Sequence, residues 1–305
     1  MVEPSVFDTE AHVLAFSKLL GQATTLADMR RAFETYPIES SPVANTVMVS
    51  IGDPPGTWIG DPTHVMGRRG VYLHGGGYIA GSIQMYAGLV SRLAVSTRSW
   101  IFLPDIPLAP ERQYPAAHDA AIGACRHAFC NGPYSREDAI SSFLLGDSCG
   151  AALALATGMR LRDKGEVNSL SAIVGLSPTL DMRAAGESYV RWGSTDKVIS
   201  REMTRQCIAM YAPRIDPSDP MLSPIHGQFA GLPPVLLQVS EDEAVFDDST
   251  LAASLARQQG CPIEVQTWPG LPHVWHLLAP QLPEATFAIQ CAGQFIRKVL
   301  GDEDR

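Results

Sequence analysis

A serine between two glycines is the residue whose type and spacing most directly suggest chemistry. The chain reads GDSCG at residues 146–150, directly after the apolar run 142–145 and before a run of small residues. The pattern G-x-S-x-G between a strand and a helix lifts the serine hydroxyl to the apex of a sharp turn, where a base can reach it. The motif therefore predicts that Ser148 is a nucleophile, although a plain glycine turn also fits the five residues alone.

A second glycine-rich motif lies upstream, where the chain reads HGGG at residues 74–77 after the strand-like run 71–73. Consecutive glycines are entropically costly, so bare backbone must be needed at this point. A phosphate-binding loop would require G-x-G-x-x-G or G-x-x-x-x-G-K-[ST], and neither spacing is present here. In hydrolases with a serine elbow, such a loop supplies N–H groups to the oxyanion hole.

A serine needs a base, and in hydrolases of this kind the chain order is serine, acid, histidine. Three histidines follow Ser148: His226, His273 and His276. Only His273 comes just after a strand-like run and a turn, where it can reach the elbow. A metal site at His273 and His276 has no evident third ligand, so we expect no metal and no cofactor.

The acid is expected in the loop after the apolar run 235–239, which is unusually acidic. Its carboxylates are Glu241, Asp242, Glu243, Asp247 and Asp248. The last two fit the cap and first turn of the following helix. One of the first three should therefore orient His273, whose imidazole would become cationic when it takes the serine proton.

Taken together, these stretches resemble the hormone-sensitive-lipase-like esterases of the α/β-hydrolase superfamily. The matching segments, in order, are LHGGGY at 73–78, PDIPLAPE at 104–111, GDSCG at 146–150, PPVLLQV at 233–239 and PHVW at 272–275. The resemblance runs from about residue 70 to the C-terminus, and the first forty residues match loosely as a helical cap.

The resemblance implies a catalytic triad of Ser148, His273 and Asp242, with Glu243 as the alternative acid. It also implies that the backbone amides of Gly76, Gly77 and Cys149 form the oxyanion hole. His74 would brace the glycine loop rather than react. The elbow places its middle residue, Ser148, at the apex, which makes Cys149 a poor alternative nucleophile.

The chain departs from the family pattern at two places. Family members usually carry Asp-Tyr-Arg-Leu-Ala-Pro-Glu, whereas this chain has Pro107 in place of the arginine, so an ion pair is expected to be missing there. The elbow carries Cys149 and Ala151 where alanine and glycine are usual. Cys149 keeps its backbone N–H, so the oxyanion hole should be retained.

Strand-like and helix-like runs alternate along most of the chain, which predicts an α/β-hydrolase fold: a mostly parallel sheet of about eight strands, covered by helices on both faces, with a small helical cap. Residues 1–40 are expected to form an N-terminal cap segment, and 41–305 the catalytic domain with a cap insertion at about 181–232. The predicted strands are 45–51, 57–60, 70–73, 100–104, 142–145, 172–176, 235–239 and 263–267. The predicted helices are 83–97, 115–130, 149–164, 200–212, 247–259 and 284–299.

Composition and charge narrow the function classes. The 305 residues are 46% hydrophobic with a formal net charge of -9, which argues against a nucleic-acid partner and against attachment to an anionic membrane. Residues 1–5 do not resemble a signal peptide, and no apolar run is long enough for a membrane span. Six cysteines without a C-x-x-C pair favour free thiols in the cytoplasm. A homodimer is compatible with this pattern.

The sequence therefore predicts a serine carboxylic-ester hydrolase for short- to medium-chain acyl esters or small lactones. An amidase or acyltransferase would use the same triad, and a non-catalytic ligand-binding protein is a further alternative. Aromatic and apolar residues beside the motifs are the candidate substrate-binding residues. They are Tyr78, Trp192, Tyr211, Val274 and Trp275.

Overall fold

The computed structural model of the protein describes residues 7–166 and 169–302. The prediction about a signal peptide concerns residues 1–5, which lie outside these ranges. Residues 1–6 of the predicted cap segment and residues 303–305 of the predicted catalytic domain also lie outside them. Within the described ranges, no helix is both long and apolar enough to cross a bilayer.

Eight strands form one sheet in the order β1-β2-β4-β3-β5-β6-β7-β8. β1 and β2 are an antiparallel hairpin, β2 is also antiparallel to β4, and the remaining neighbours are parallel. The strands are β1 Val47–Gly52, β2 Pro55–Gly60, β3 Val65–Leu73, β4 Ser99–Pro104, β5 Ser141–Asp147, β6 Leu170–Leu176, β7 Val235–Ser240 and β8 Ile263–Trp268. The predicted fold class is therefore confirmed, including the number of strands.

Helices cover both faces of the sheet, as expected for buried parallel strands. The helices are α1 Thr9–Gln22, α2 Leu26–Glu34, α3 Ile83–Thr97, α4 Ala116–Cys130, α5 Cys149–Asp163, α6 Ser188–Arg191, α7 Arg201–Tyr211, α8 Phe246–Gln258 and α9 Pro283–Val299. α3 and α9 pack together on one face, whereas α4, α5 and α8 pack on the other. Short 3-10 helices lie at Pro224–His226 and Trp275–Leu278.

Local sequence signals explain where several helices begin. Thr25 and Asp28 form a capping box at the start of α2, in which each side chain accepts from the other residue's backbone N–H. Ser82 and Ser200 cap α3 and α7 through their side-chain oxygens. The central strands β4, β5 and β7 are almost entirely buried. Because the neighbouring strands from β4 to β8 run parallel, their carboxyl ends lie at one edge of the sheet and present their loops there.

Candidate active site

Ser148 occupies the turn between β5 and α5 by itself. Its φ of 50° and ψ of -125° are uncommon for a residue with a side chain. A Cβ atom at Gly146 would lie 2.3 Å from the carbonyl oxygen of Gly150, and one at Gly150 would lie 2.1 Å from that of Leu73. Both flanking positions therefore require glycine, because the turn presses its backbone against neighbouring carbonyl groups. This packing is the physical basis of the G-x-S-x-G spacing.

His273 lies beside the serine, as its place after β8 predicts. Its Nε2 atom is 2.9 Å from Ser148 Oγ. Both side chains are buried, with Ser148 exposing 9% and His273 4% of their surfaces. Val274, the next residue, has a φ of 52° and donates its backbone N–H to Ser177 Oγ at 3.0 Å, which fixes the loop that carries the histidine.

Glu243, and not Asp242, is the carboxylate that contacts His273. Its Oε1 atom lies 2.8 Å from His273 Nδ1, and its Oε2 atom accepts the backbone N–H of Ser240 at 2.6 Å. Asp242 instead accepts the backbone N–H of Gly270 at 2.6 Å. The prediction that Asp242 orients the histidine is therefore corrected, because the turn after β7 directs two consecutive side chains to different sides.

The carboxylate of Glu243 also fixes the protonation of the histidine ring. An ionised carboxylate only accepts hydrogen bonds, so we assign the proton to Nδ1 of His273 and leave Nε2 as the acceptor for the Ser148 hydroxyl. Burial lowers the pKa of His273, whereas the hydrogen bond to Glu243 and the negative charge of that residue raise it. The rise is larger than the fall, so the pKa of His273 lies above its ordinary value.

The glycine loop is held against the elbow by a buried carboxylate. Asp147 Oδ1 accepts the backbone N–H of Gly75 at 2.9 Å and the hydroxyl of Tyr72 at 2.7 Å, while its Oδ2 accepts the hydroxyl of Tyr86 at 3.0 Å. A Cβ atom at Gly75 would lie 2.3 Å from this carboxylate. Asp147 therefore joins the two motifs, a role that the sequence analysis missed although the residue stands within the elbow pentapeptide.

Gly76, Gly77 and Cys149 border the same cavity as Ser148. Gly76 has a φ of 96° and Gly77 a φ of 65°, and a Cβ atom on Gly77 would lie 2.6 Å from the sulfur of Cys207 in α7. Cys149 is the first residue of α5, where a backbone N–H has no acceptor within the helix. The thiol of Cys149 stays protonated, because burial raises its pKa, and a protonated thiol is a weak nucleophile.

His74 contacts the glycine loop and not Ser148. Its Nδ1 atom is 2.8 Å from the carbonyl oxygen of Gly75, and its ring stacks on Tyr86 with 5.2 Å between ring centroids. Desolvation by burial lowers the pKa of His74, which keeps the ring neutral at pH 7.

Arg30 of α2 supplies a guanidinium group to the loop in which Pro107 replaces an arginine. It donates to the carbonyl oxygens of Ile79 at 2.7 Å and Ala109 at 2.9 Å. It also forms two hydrogen bonds with the carboxylate of Glu111, at 2.9 and 2.7 Å. Pro107 itself has no charge to offer, and the cation that contacts this segment comes from Arg30, a residue distant in sequence.

Two of the five predicted substrate-binding residues line the cavity beside Ser148, and three do not. Tyr78 and Val274 line the cavity beside Ser148. Tyr211 lies behind Tyr78, on which it stacks with 4.2 Å between ring centroids. Trp192 lines a separate surface cleft together with Asp242. Trp275 is fully buried in the core beside Trp268, because the 3-10 helix that begins there turns inward, so these three predictions of direct lining are corrected.

The N-terminal helices form part of the cavity wall. Phe16 of α1, Phe33 of α2 and Tyr36 just beyond α2 line the cavity. The hydroxyl of Tyr36 donates to the backbone carbonyl of His273 at 2.6 Å. Residues of α7 also line the cavity. They are Met203, Thr204, Cys207 and Ile208.

His276 and His226, the other two histidines that follow Ser148, do not contact Ser148 or His273 through their side chains. His276 Nε2 is 2.9 Å from Gln238 Oε1 in the core, and burial lowers the pKa of His276 to about 3. His226 lies 3.8 Å from Asp181, in the segment after α7. All six cysteines are free thiols.

Comparisons with known proteins show the family to which the chain belongs. A family model described as an alpha/beta hydrolase fold matches residues 70–277. An acetyl-hydrolase of Streptomyces hygroscopicus is 34% identical over 256 residues, covering 84% of this chain and 83% of the relative. An esterase of Acinetobacter venetianus is 32% identical and covers 73% of each protein.

Solved esterase structures superpose on nearly the whole chain. An esterase from the bacterial hormone-sensitive lipase family superposes with a TM-score of 0.86 at 31% identity, covering 97% of this chain and 100% of that one. A mutant of the esterase E40 superposes with a TM-score of 0.87, also at 31% identity, over 96% and 99%. The chain therefore belongs to the α/β-hydrolase family, within its group of carboxylesterases that resemble hormone-sensitive lipase.

Proposed function

We propose that this carboxylesterase hydrolyses esters of short acyl groups through Ser148, His273 and Glu243. The observation that carries the proposal is the continuous chain of contacts from Ser148 Oγ to His273 Nε2 at 2.9 Å and from His273 Nδ1 to Glu243 at 2.8 Å. A serine, a base and an orienting carboxylate at these distances are the parts that acyl transfer requires.

In the first half of the reaction, Ser148 Oγ attacks the ester carbonyl carbon while its proton passes to His273 Nε2. Glu243 stabilises the resulting imidazolium without taking its proton. When the tetrahedral intermediate collapses, the bond to the alcohol oxygen breaks and His273 protonates that oxygen. Water then hydrolyses the acyl-enzyme by the same sequence of proton transfers.

The negative oxygen of each tetrahedral intermediate is assigned to the backbone amides of Gly76, Gly77 and Cys149. These residues border the cavity around Ser148, and Asp147 holds the glycine loop against the elbow. Fixed donors aimed at a developing charge are among the largest contributions to catalysis, with each donor contributing about 3 kcal/mol.

Helices α1 and α2, together with the insertion at 181–232, are proposed to act as the cap over the site. The support is that Phe16, Phe33 and Tyr36 from the first segment line the same cavity as Val198 and Met203 from the second. Such a cap would exclude water from the acyl-enzyme during the reaction.

The size of the cavity favours short acyl groups. Its volume is about 60 Å³, and its lining is mainly apolar. A short acyl group therefore fills this narrow apolar space more readily than a long chain does. The name of the Streptomyces relative, an acetyl-hydrolase, points in the same direction. Small lactones fit the same volume and belong in the substrate panel.

Hydrolysis of p-nitrophenyl esters from acetate to laurate tests this proposal. We expect kcat/KM to be highest between acetate and butyrate and to fall at least about tenfold by octanoate, since added methylenes find no room. Met85→Ala and Met203→Ala each shorten a side chain that lines the cavity, one on α3 and the other on α7. The variant that gains activity on octanoate identifies the part of the cavity that holds the acyl group. Undiminished activity on laurate, or no hydrolysis by folded protein, would contradict the proposal.

The pH dependence follows from the state of His273, which must be neutral to accept the serine proton. Its pKa is raised above the ordinary value, mainly by Glu243 against the effect of burial, so activity should fall as the pH drops through a midpoint above about 6.5. The measurement is kcat/KM for an uncharged ester between pH 5 and 9. A midpoint well below 6.5, or an activity independent of pH, would contradict this assignment.

A further inference from the structure

Ser148 has a second hydroxyl group beside it, which the reaction described above does not use. Thr179 Oγ1 lies 3.3 Å from Ser148 Oγ. Thr179 exposes only 3% of its surface and lines the cavity. It belongs to none of the motifs that identify the triad or the oxyanion hole.

The backbone around Thr179 is fixed relative to the nucleophile. Its own N–H donates to the carbonyl oxygen of Ser148 at 3.2 Å. The next amide, that of Leu180, donates at 2.8 Å to the buried carboxyl group of Asp248. On the other side, Ser177 accepts the N–H of Val274 at 3.0 Å, next to the catalytic histidine. The threonine hydroxyl is therefore held beside Ser148 by contacts on both flanks.

The direction of the hydrogen bond between the two hydroxyl groups follows from the histidine. Because Nδ1 of His273 carries the proton that Glu243 accepts, Nε2 must accept the proton of Ser148. Ser148 Oγ then has only lone pairs to offer, so Thr179 is the donor. At 3.3 Å this bond is long for two neutral hydroxyl groups, which leaves room for it to shorten when charge develops on Oγ.

We propose that Thr179 is a further catalytic residue, which donates a hydrogen bond to Ser148 Oγ when that oxygen leaves the acyl group. The inference rests on the proposed function. In this step the oxygen of water bonds to the acyl carbon, and its proton passes to His273 Nε2. The bond from carbon to Oγ then breaks, its electron pair returns to Oγ, and His273 gives Oγ the proton.

The donor matters more in this step than in the free enzyme. A hydrogen bond to an oxygen that carries negative charge is roughly twice as strong as one to a neutral hydroxyl. Only interactions that are stronger in the transition state accelerate a reaction. In the free enzyme the same bond slightly stabilises the nucleophile, so its loss should slow deacylation more than acylation.

Thr179→Val keeps the shape of the side chain and removes the hydroxyl. With p-nitrophenyl butyrate, we expect kcat to fall about five- to tenfold and KM to fall with it, so that kcat/KM changes by less than about threefold. Stopped-flow measurement should show a burst approaching one p-nitrophenol per active site, as acyl-enzyme accumulates. Thr179→Ser, which keeps the hydroxyl, should recover most of kcat.

The proposal is overturned if Thr179→Val turns over like the wild type without a larger burst, or if the serine and valine variants are impaired equally. A fall confined to kcat/KM would also overturn it, since that result indicates a displaced Ser148. If the valine variant does not fold, Thr179→Ala and Thr179→Ser form a second pair that differs only in the hydroxyl.

Failure of the proposed function gives a different result. If Ser148→Ala still hydrolyses the ester with a burst, the assignment of the nucleophile is wrong and Thr179 has no role of this kind. If Ser148→Ala is inactive and Thr179→Val behaves as the wild type, the inference about Thr179 alone is wrong.

Discussion

Replacing Ser148 by alanine is expected to lower kcat on the order of 10⁶-fold, to the low level that binding and oxyanion stabilisation sustain without a nucleophile. The reason is geometric, because Ser148 Oγ is the oxygen placed 2.9 Å from His273 Nε2. The neighbouring thiol of Cys149 cannot replace it, since burial raises the pKa of that thiol and holds it protonated.

The measurement is steady-state hydrolysis of p-nitrophenyl butyrate, together with labelling by a fluorophosphonate, which should modify the wild type and not Ser148→Ala. Ser142→Ala is the matched control, because Ser142 is a buried serine near the start of the same strand whose hydroxyl bonds to the carbonyl oxygen of Ser169 at 2.8 Å. Its activity should be close to that of the wild type. Retention of more than about 1% of kcat by Ser148→Ala would show that another group attacks the ester.

Replacing Glu243 by glutamine is expected to lower kcat by about 10³- to 10⁴-fold. The amide keeps the size of the side chain but removes the charge that stabilises the imidazolium. Its NH₂ group can also donate to Nδ1 of His273, which places the ring proton on Nε2 and prevents that atom from accepting the proton of Ser148. The backbone N–H of Ser240, 2.6 Å from the present carboxylate, keeps the single oxygen of the amide on its side and so leaves the NH₂ group toward His273.

Asp242→Asn is the control for this variant, since it makes the same chemical change one residue away. Asp242 bonds to the backbone N–H of Gly270 and does not contact the histidine, so its replacement should leave kcat within about threefold of the wild type. The pH at which kcat/KM falls to half on the acid side should be lower in Glu243→Gln, because the charge that raises the pKa of His273 is gone, and should be unchanged in Asp242→Asn. A larger loss in Asp242→Asn than in Glu243→Gln would reverse the assignment of the acid.

Much of the fold can be predicted from the sequence because its signals are local. The strand at 142–145 and the helix at 149–164 follow from an apolar run and a run of small residues, and the structure places them at Ser141–Asp147 and Cys149–Asp163. The same holds for the remaining central elements, whose observed ends differ from the predicted ones by a few residues at most, with β3 extending further at its start.

The errors fall where the direction of a side chain in a loop decides the outcome. Spacing after β7 limits the acid to a few positions but does not say which carboxylate turns toward the histidine. Likewise, Trp275 follows His273 by only two residues, yet it points into the core. Position along the chain does not determine orientation in an irregular segment, because each residue there has its own backbone angles.

The sequence by itself determined which serine and histidine are the candidate nucleophile and base, since the sharp turn at Ser148 and the bare backbone at Gly76 and Gly77 restrict which residues can stand there. Only the tertiary structure decided which carboxylate contacts the histidine, which residues line the cavity, and the contacts made by Arg30, Tyr36 and Thr179. Those contacts join residues far apart in sequence, and their geometry depends on how the helices and loops pack around the sheet, which no local pattern encodes.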